Sequence, residues 1–195
     1  MRAIRPVLLA ILVGGLLLGP MAGLTAAPAL ARMTVTGPFG TGLTEPVWVI
    51  QHLLGFLAIG LWAGQNGGPA VWQLPVAALT AVLSAGLAAQ LGIRLPYAAQ
   101  GLAASLILMG GLVALGLKAP LALAVLTAAA AAAFHGYLHM GGALFWAGLS
   151  AGILLVTCAG LGLAAVLGQA VSARAPAVCG GVVALAGVLD LAGVF

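Results

Sequence analysis

The sequence predicts an all-α, polytopic membrane protein, a bundle of about six transmembrane helices preceded by an N-terminal signal or an extra helix. Hydrophobic residues make up 64% of the 195 residues and charged residues only 4%, whereas a soluble domain is typically about 25% charged. The apolar residues form long runs without the alternation of a β-strand, which indicates helices rather than an outer-membrane barrel. Gly- and Pro-containing breaks divide these runs into segments of membrane-spanning length.

Residues 1–31 have the features of a secretory signal peptide. Two arginines precede an apolar stretch, and residues 29–31 read Ala-Leu-Ala, the small-x-small pattern of a cleavage site. The alternative is an uncleaved first membrane helix, but Pro20 interrupts the apolar stretch and favours the signal. Cleavage would leave residues 32–195 as a single six-helix membrane domain.

Six apolar segments follow the signal. The first is predicted to begin at Glu45-Pro46, because proline suits the first position of a helix and glutamate is favourable near a helix N-terminus. Residues 32–44 before it are then a short segment too small to be a domain. Six spans of about 20 residues use roughly 120 residues, so no extramembrane domain is expected. The predicted spans are approximately 45–63, 71–91, 98–117, 121–138, 144–167 and 177–195.

The few charges set the expected orientation. With the N-terminal arginines inside, six spans place Lys118 and Arg174 inside and Arg32 and Arg94 outside, in agreement with the positive-inside rule. We therefore expect a multi-pass protein whose mature N-terminus faces the periplasm or exterior and whose main partner is the lipid bilayer. The net charge of +4 is too scattered to form a nucleic-acid-binding surface.

The three histidines lie within or directly after two of the apolar segments and are the main candidates for chemistry. His135 and His139 are four residues apart, and Glu45 and His52 are seven apart, so each pair is predicted to share one helix face. If the two helices meet, three imidazoles, a carboxylate and the amide of Gln51 form one candidate metal site. Neutral imidazole is a common ligand of nickel, cobalt, copper and zinc. The alternative is that each histidine hydrogen-bonds nearby backbone and lines a small polar pocket.

Asp190 is the acidic residue placed deep in a predicted span. Polar groups at that depth are energetically costly and are often functional. Two arrangements remain open: Asp190 faces the same cavity as the histidines, or it pairs with Arg94 or another loop cation.

The sequence gives little support for an enzyme or for a retinal-binding protein. The Gly148–Gly152 stretch matches G-x-S-x-G but lies in an apolar helix instead of a strand–turn–helix elbow, with no acid to complete a hydrolase. A retinal protein needs a lysine within a span, and Lys118 lies in a loop. We therefore expect no enzyme and no tightly bound cofactor. The spacings of Gly148 with Gly152 and of Gly160 with Ala164 instead predict close helix packing.

The sequence resembles the HupE/UreJ family of small bacterial membrane proteins. The first family motif reads approximately H-P-x-x-G-x-D-H-x-x-x-M-x-x-x-G, and Pro46, His52 and Gly60 stand at its matching positions. A second signature, a Phe-His-Gly start followed by further histidines, is matched by residues 134–136 and by His139. The resemblance covers essentially the whole chain beyond the N-terminal region. It implies a permease of the bacterial inner membrane that carries Ni²⁺ or Co²⁺ for hydrogenase or urease.

This chain also departs from the family motifs. Glu45 stands in place of the first histidine, Gln51 in place of the aspartate and Phe56 in place of the methionine, while Tyr137 stands where a further histidine is common. The resemblance thus implies transport with a reduced ligand set. Two hypotheses follow. In the first, the three histidines and Glu45 hold Ni²⁺ or Co²⁺ transiently. In the second, the chain is a non-transporting structural or accessory subunit that co-purifies with other membrane protein subunits.

Overall fold

The computed structural model describes residues 37–172 and 174–194, and every regular element in these ranges is a helix. The prediction of an all-α bundle is confirmed. The predicted signal peptide, residues 1–31, lies outside the described residues. The helices are α1 (Gly37–Trp48), α2 (Ile50–Asn66), α3 (Ala70–Gln90), α4 (Ala98–Ala114), α5 (Leu121–Tyr137), α6 (Ala143–Ala170) and α7 (Ala175–Leu191).

The first predicted span is a broken helix. α1 and α2 meet at a bend of 76°, where Val49 adopts an extended conformation (φ −96°, ψ 105°) that interrupts the helix. The predicted start at Glu45-Pro46 is wrong: α1 begins at Gly37, and Pro46 lies near its end. Proline also occurs inside membrane helices, where neighbouring groups satisfy the carbonyl that its missing N–H leaves free.

The helices differ in length. α3 and α6 are long and apolar enough to cross a membrane, and the bent pair is a third candidate if it counts as one span. α4, α5 and α7 are apolar helices of 17 residues each, which at about 1.5 Å per residue extend roughly 26 Å, slightly less than a typical hydrocarbon core. Each of the six predicted segments therefore corresponds to a helix or, for the first, to a bent pair of helices.

α2 is the central helix of the bundle and contacts each of the six other described helices. Its residues 54–63 are buried except for the partly exposed Leu57. A helix that is apolar on all sides is expected in the interior of a bundle. His52 stands two residues before this buried stretch and Gln65 two residues after it, so the polar side chains of α2 lie towards its two ends.

α6 packs along both arms of the bent pair through residues without a side chain. A Cβ atom on Gly148 would collide with the backbone of Phe39 in α1, and one on Gly160 would collide with the carbonyl of Leu57 in α2. Gly60 faces Gly160 across this second contact. The predicted close packing at these glycines is confirmed, and it holds α2 in a defined position against the longest helix.

Candidate metal-binding site

The three histidines converge at one end of α2. The ring centroid of His52 lies 5.1 Å from that of His135 and 4.6 Å from that of His139. All three side chains are buried, with at most 7% of their surface exposed. His52 belongs to the first turn of α2, His135 to the last turn of α5, and His139 follows the end of α5. The two segments singled out by their histidines therefore meet.

The route by which these residues meet differs from the one predicted. His139 does not continue the face of α5: the helix ends at Tyr137, and the backbone N–H of His139 closes a turn onto the carbonyl of Gly136 at 3.2 Å. Glu45 and His52 do not share a helix face either, because the bend at Val49 separates them. Glu45 instead reaches His139, with 3.9 Å between its Oε1 and the imidazole Nδ1.

Hydrogen bonds indicate which nitrogens carry protons. The Ser105 hydroxyl donates to the carbonyl of Leu102 at 2.6 Å, so it accepts from His135 Nε2–H at 3.0 Å. His52 Nε2 and His139 Nε2 lie 2.8 Å apart and share one proton. The carboxylate of Glu45 favours a proton on the nearby Nδ1 of His139, which makes His139 Nε2 the acceptor and His52 Nε2–H the donor.

This assignment leaves two basic nitrogens in the cluster. Nδ1 of His52 and Nδ1 of His135 are both buried and have no hydrogen-bond partner among the described residues. A buried polar atom without a partner is uncommon in a folded protein and calls for an explanation. Both atoms carry lone pairs in the tautomers above, and an imidazole lone pair is the donor that a transition metal uses.

Two residues support the cluster and were missed from the sequence. Ser105 in α4 fixes the His135 ring, and it is a polar residue in an otherwise apolar stretch, which was an available signal. Gly55 allows His135 to approach α2, because a Cβ atom there would lie only 2.7 Å from His135 Nε2. Gly55 lies one turn after His52, but its role can be recognised only when the helix that packs against it is known.

Gln51 lies on a different side of α2 from the histidine cluster. Its Nε2 donates to Asp190 Oδ1 of α7 at 3.2 Å. Both residues line a cleft of about 310 Å³ together with residues of α4 and α7 and Leu138. Neither of the two arrangements open for Asp190 is found: it faces this separate cleft and is bonded to Gln51, and it forms no ion pair with Arg94 or another cation among the described residues.

The cluster is a group of donors rather than a finished coordination shell. Within residues 37–172 and 174–194, no three or more His, Cys, Asp or Glu side chains are arranged so that they could hold one metal ion together. His135 engages Ser105, and the other two histidines engage each other. Ring rotations that release these hydrogen bonds are needed before all three can face one ion.

Tyr137 binds a loop and not the cluster, although it precedes His139 by only two residues. Its hydroxyl accepts from the backbone N–H of Leu95 at 2.9 Å and donates to the carbonyl of Ile93 at 2.9 Å. It therefore attaches the end of α5 to the loop between α3 and α4.

We expect Tyr137→Phe to lower the stability by about 1–2 kcal/mol, because both hydrogen bonds of the hydroxyl are lost, and to leave metal binding unchanged. Thermal unfolding in detergent measures the first effect and equilibrium dialysis against Ni²⁺ the second. Tyr97→Phe is the matched control, since Tyr97 is 79% exposed. Loss of metal binding in Tyr137→Phe with normal stability would place the hydroxyl in the site instead.

Comparisons with known proteins agree on one family. A family model described as HupE / UreJ protein matches residues 16–189. A curated relative, Protein HupE of Rhizobium leguminosarum bv. viciae, is 33% identical over 159 residues, which cover 78% of this chain and 83% of the relative. No solved structure matches the chain.

Proposed function

The chain belongs to the HupE/UreJ protein family, and on this premise we propose that it is a membrane permease that moves Ni²⁺ or Co²⁺ through the histidine cluster. The observation that carries the proposal is the pair of buried, unpartnered Nδ1 atoms of His52 and His135. A borderline metal ion supplies the partner that both nitrogens lack. We do not expect enzymatic activity or a resident cofactor, and the metal is the substrate.

The charges around the cluster support a cation as the substrate. The sequence has two acidic residues: Glu45 lies beside His139, and Asp190 bonds Gln51, the neighbour of His52 in sequence. A divalent ion inside an apolar bundle needs nearby negative charge, because lipid and apolar side chains cannot solvate it. Both carboxylates of the chain are thus associated with the same end of α2.

An unfinished coordination shell suits transport. A permeation site must bind strongly enough to admit an ion and weakly enough to release it. Here the ion would take the Nδ1 lone pairs of His52 and His135, and recruitment of His139 Nε2 would break its hydrogen bond with His52, while Glu45 would keep His139 oriented, as an acidic partner does for metal-ligating histidines. Binding would be coupled to the loss of that hydrogen bond and to ring rotation, and both limit the affinity.

The apolar stretch that follows His52 supports a gated pathway. Phe56, Ile59 and Trp62 are each no more than 1% exposed, so they close the centre of the bundle between the cluster and Gln65. Passage of an ion requires this stretch of α2 to separate from its neighbours. We place the protein in the bacterial inner membrane with its mature N-terminus in the periplasm, as the charge distribution favours.

A second candidate function is a non-transporting accessory subunit of a larger membrane complex. The specific observation in its favour is the lack, among the described residues, of three side chains arranged to hold one metal ion. In this alternative the histidines serve only to pack α2 against α5, and the protein does not bind Ni²⁺ or Co²⁺.

Metal binding by the detergent-purified protein separates the two functions. We expect about one Ni²⁺ or Co²⁺ per chain, and loss of that metal when His52, His135 and His139 are all replaced by alanine, because imidazole supplies the donors. Inductively coupled plasma mass spectrometry after equilibrium dialysis gives the stoichiometry, and circular dichroism verifies the fold of the variant. Wild-type protein that contains no bound metal and elutes with a second membrane protein would favour the function of an accessory subunit.

A further inference from the structure

Asp190 is a carboxylate near the end of α7, and the described part of the chain offers it no cationic partner. No described Lys, Arg or His lies within ion-pair distance of it, and its hydrogen-bond donor is the neutral amide of Gln51. A carboxylate in an apolar bundle is costly unless it is hydrated or compensated by positive charge. The cleft beside it supplies access to water, and a cation that enters the cleft would supply the charge.

The polar lining of the cleft consists of oxygen-bearing side chains. Asp190 contributes a carboxylate, and Gln51 and Gln100 contribute amides, while the remaining lining residues are apolar. Carboxylate and amide oxygens are suited to hydrated divalent cations and bind them less tightly than imidazole binds nickel or cobalt. The volume of about 310 Å³ accommodates an ion with part of its water shell, since one water occupies about 30 Å³ in the liquid.

The cleft adjoins the histidine cluster at three points. Gln51 precedes His52 and Leu138 precedes His139 in the chain, and the carbonyl of Leu102 accepts the hydroxyl proton of Ser105, which holds His135. Gln51 and Leu138 are therefore each one peptide bond from a histidine, and Leu102 is two hydrogen bonds from the third.

We propose that the Asp190 cleft is a second cation site, which captures a hydrated divalent ion through oxygen ligands and passes it across Gln51 to the histidine cluster. The direction of transfer, from the cleft to the histidine cluster, rests on the proposed function. The binding of a cation in the cleft stands on the carboxylate, the two amides and the volume alone. Capture on oxygen ligands followed by transfer to nitrogen ligands lets the ion lose its water in stages.

Mn²⁺ is the probe for the cleft, because it prefers oxygen ligands and ranks lowest among the first-row divalent metals for nitrogen sites. Electron paramagnetic resonance reports free Mn²⁺, and hence binding to the purified protein. We expect Asp190→Asn to weaken Mn²⁺ binding by about tenfold or more through loss of the charge, and Asp190→Glu to retain it. Wild-type protein that binds no Mn²⁺, or an Asp190→Asn variant that binds it normally, would overturn the proposal.

Uptake kinetics test the capture role. Asp190→Asn keeps an oxygen that accepts the Gln51 hydrogen bond, so a purely structural Asp190 predicts an unchanged KM. Capture predicts a KM for Ni²⁺ or Co²⁺ raised about tenfold with little change in the maximal rate, and recovery in Asp190→Glu. An unchanged KM in Asp190→Asn would refute capture. Absence of uptake in the wild type would refute the proposed function, while the Mn²⁺ result would still decide whether the cleft binds cations.

Discussion

Replacement of His52 by glutamine is expected to reduce Ni²⁺ or Co²⁺ uptake to that of cells without the protein. The substitution removes the imidazole that lies between the other two rings and carries one of the unpartnered Nδ1 atoms. Glutamine retains an amide that can hydrogen-bond His139, so the buried Nε2 of His139 keeps a hydrogen-bond partner. Amide groups are poor ligands for these metals, and the expected loss of affinity is more than about 100-fold, beyond the range typical of residues that only orient a ligand.

Ser105→Ala provides a graded comparison at the same site. Its hydroxyl holds His135 Nε2 at 3.0 Å and does not itself belong to the predicted ligand set. We expect a loss of about 10- to 100-fold in metal affinity, as for other residues that orient a ligating histidine. Uptake of radioactive ⁶³Ni²⁺ or ⁵⁷Co²⁺ at a series of concentrations, normalised to protein level by immunoblot, measures both variants.

The order of these effects distinguishes a metal site from a packed core. If the histidines only pack α2 against α5, His52→Gln and Ser105→Ala will lower the unfolding temperature but leave uptake per folded molecule unchanged. Normal uptake by a folded His52→Gln variant would remove His52 from the pathway. Loss of uptake in His52→Gln alongside partial loss in Ser105→Ala would agree with coordination.

Composition and segment length were sufficient to predict the bundle. Long apolar runs punctuated by Gly and Pro identified helices within a few residues for the five segments after the first, since in a membrane each segment must satisfy its own backbone. The predicted start of the first segment is wrong because proline suits the first turn of a helix but also occurs inside membrane helices, as Pro46 does in α1. The extended conformation of Val49 and the 76° bend depend on packing against α6, which the local sequence does not specify.

The candidate site was predictable in its residues but not in its geometry. His52, His135 and His139 could be identified because polar side chains are scarce in apolar segments, where an imidazole is energetically costly. Their hydrogen bonds depend on which helices are neighbours, and helix order around a bundle does not follow from periodicity. The same limit explains why Gln51 was grouped with the histidines although its amide bonds Asp190, and why the contribution of Ser105 was missed.

The contact between α2 and α6 gives a second large expected effect. Gly160→Ala should strongly destabilise the bundle, because the new Cβ atom would collide with the Leu57 carbonyl, a backbone atom that cannot rotate away. The two helices would have to separate, which removes the close backbone packing that stabilises membrane helices. Overpacking of this kind costs about 1–3 kcal/mol. Adding Gly60→Ala on the facing helix should deepen the loss, since its Cβ would meet the backbone of Thr157.

Gly162→Ala is the matched control for Gly160→Ala, two residues along the same helix. No heavy atom lies within 4 Å of the position that its Cβ would take, so the variant should be neutral or slightly stabilised by the better helix propensity of alanine. Thermal unfolding in detergent and ion uptake should both fall for Gly160→Ala and stay normal for Gly162→Ala. Equal behaviour of the two variants would show that α2 is not held by this contact. The positions of His52 and Gly55, both on α2, would then have to be fixed by the contacts of α2 with the other helices.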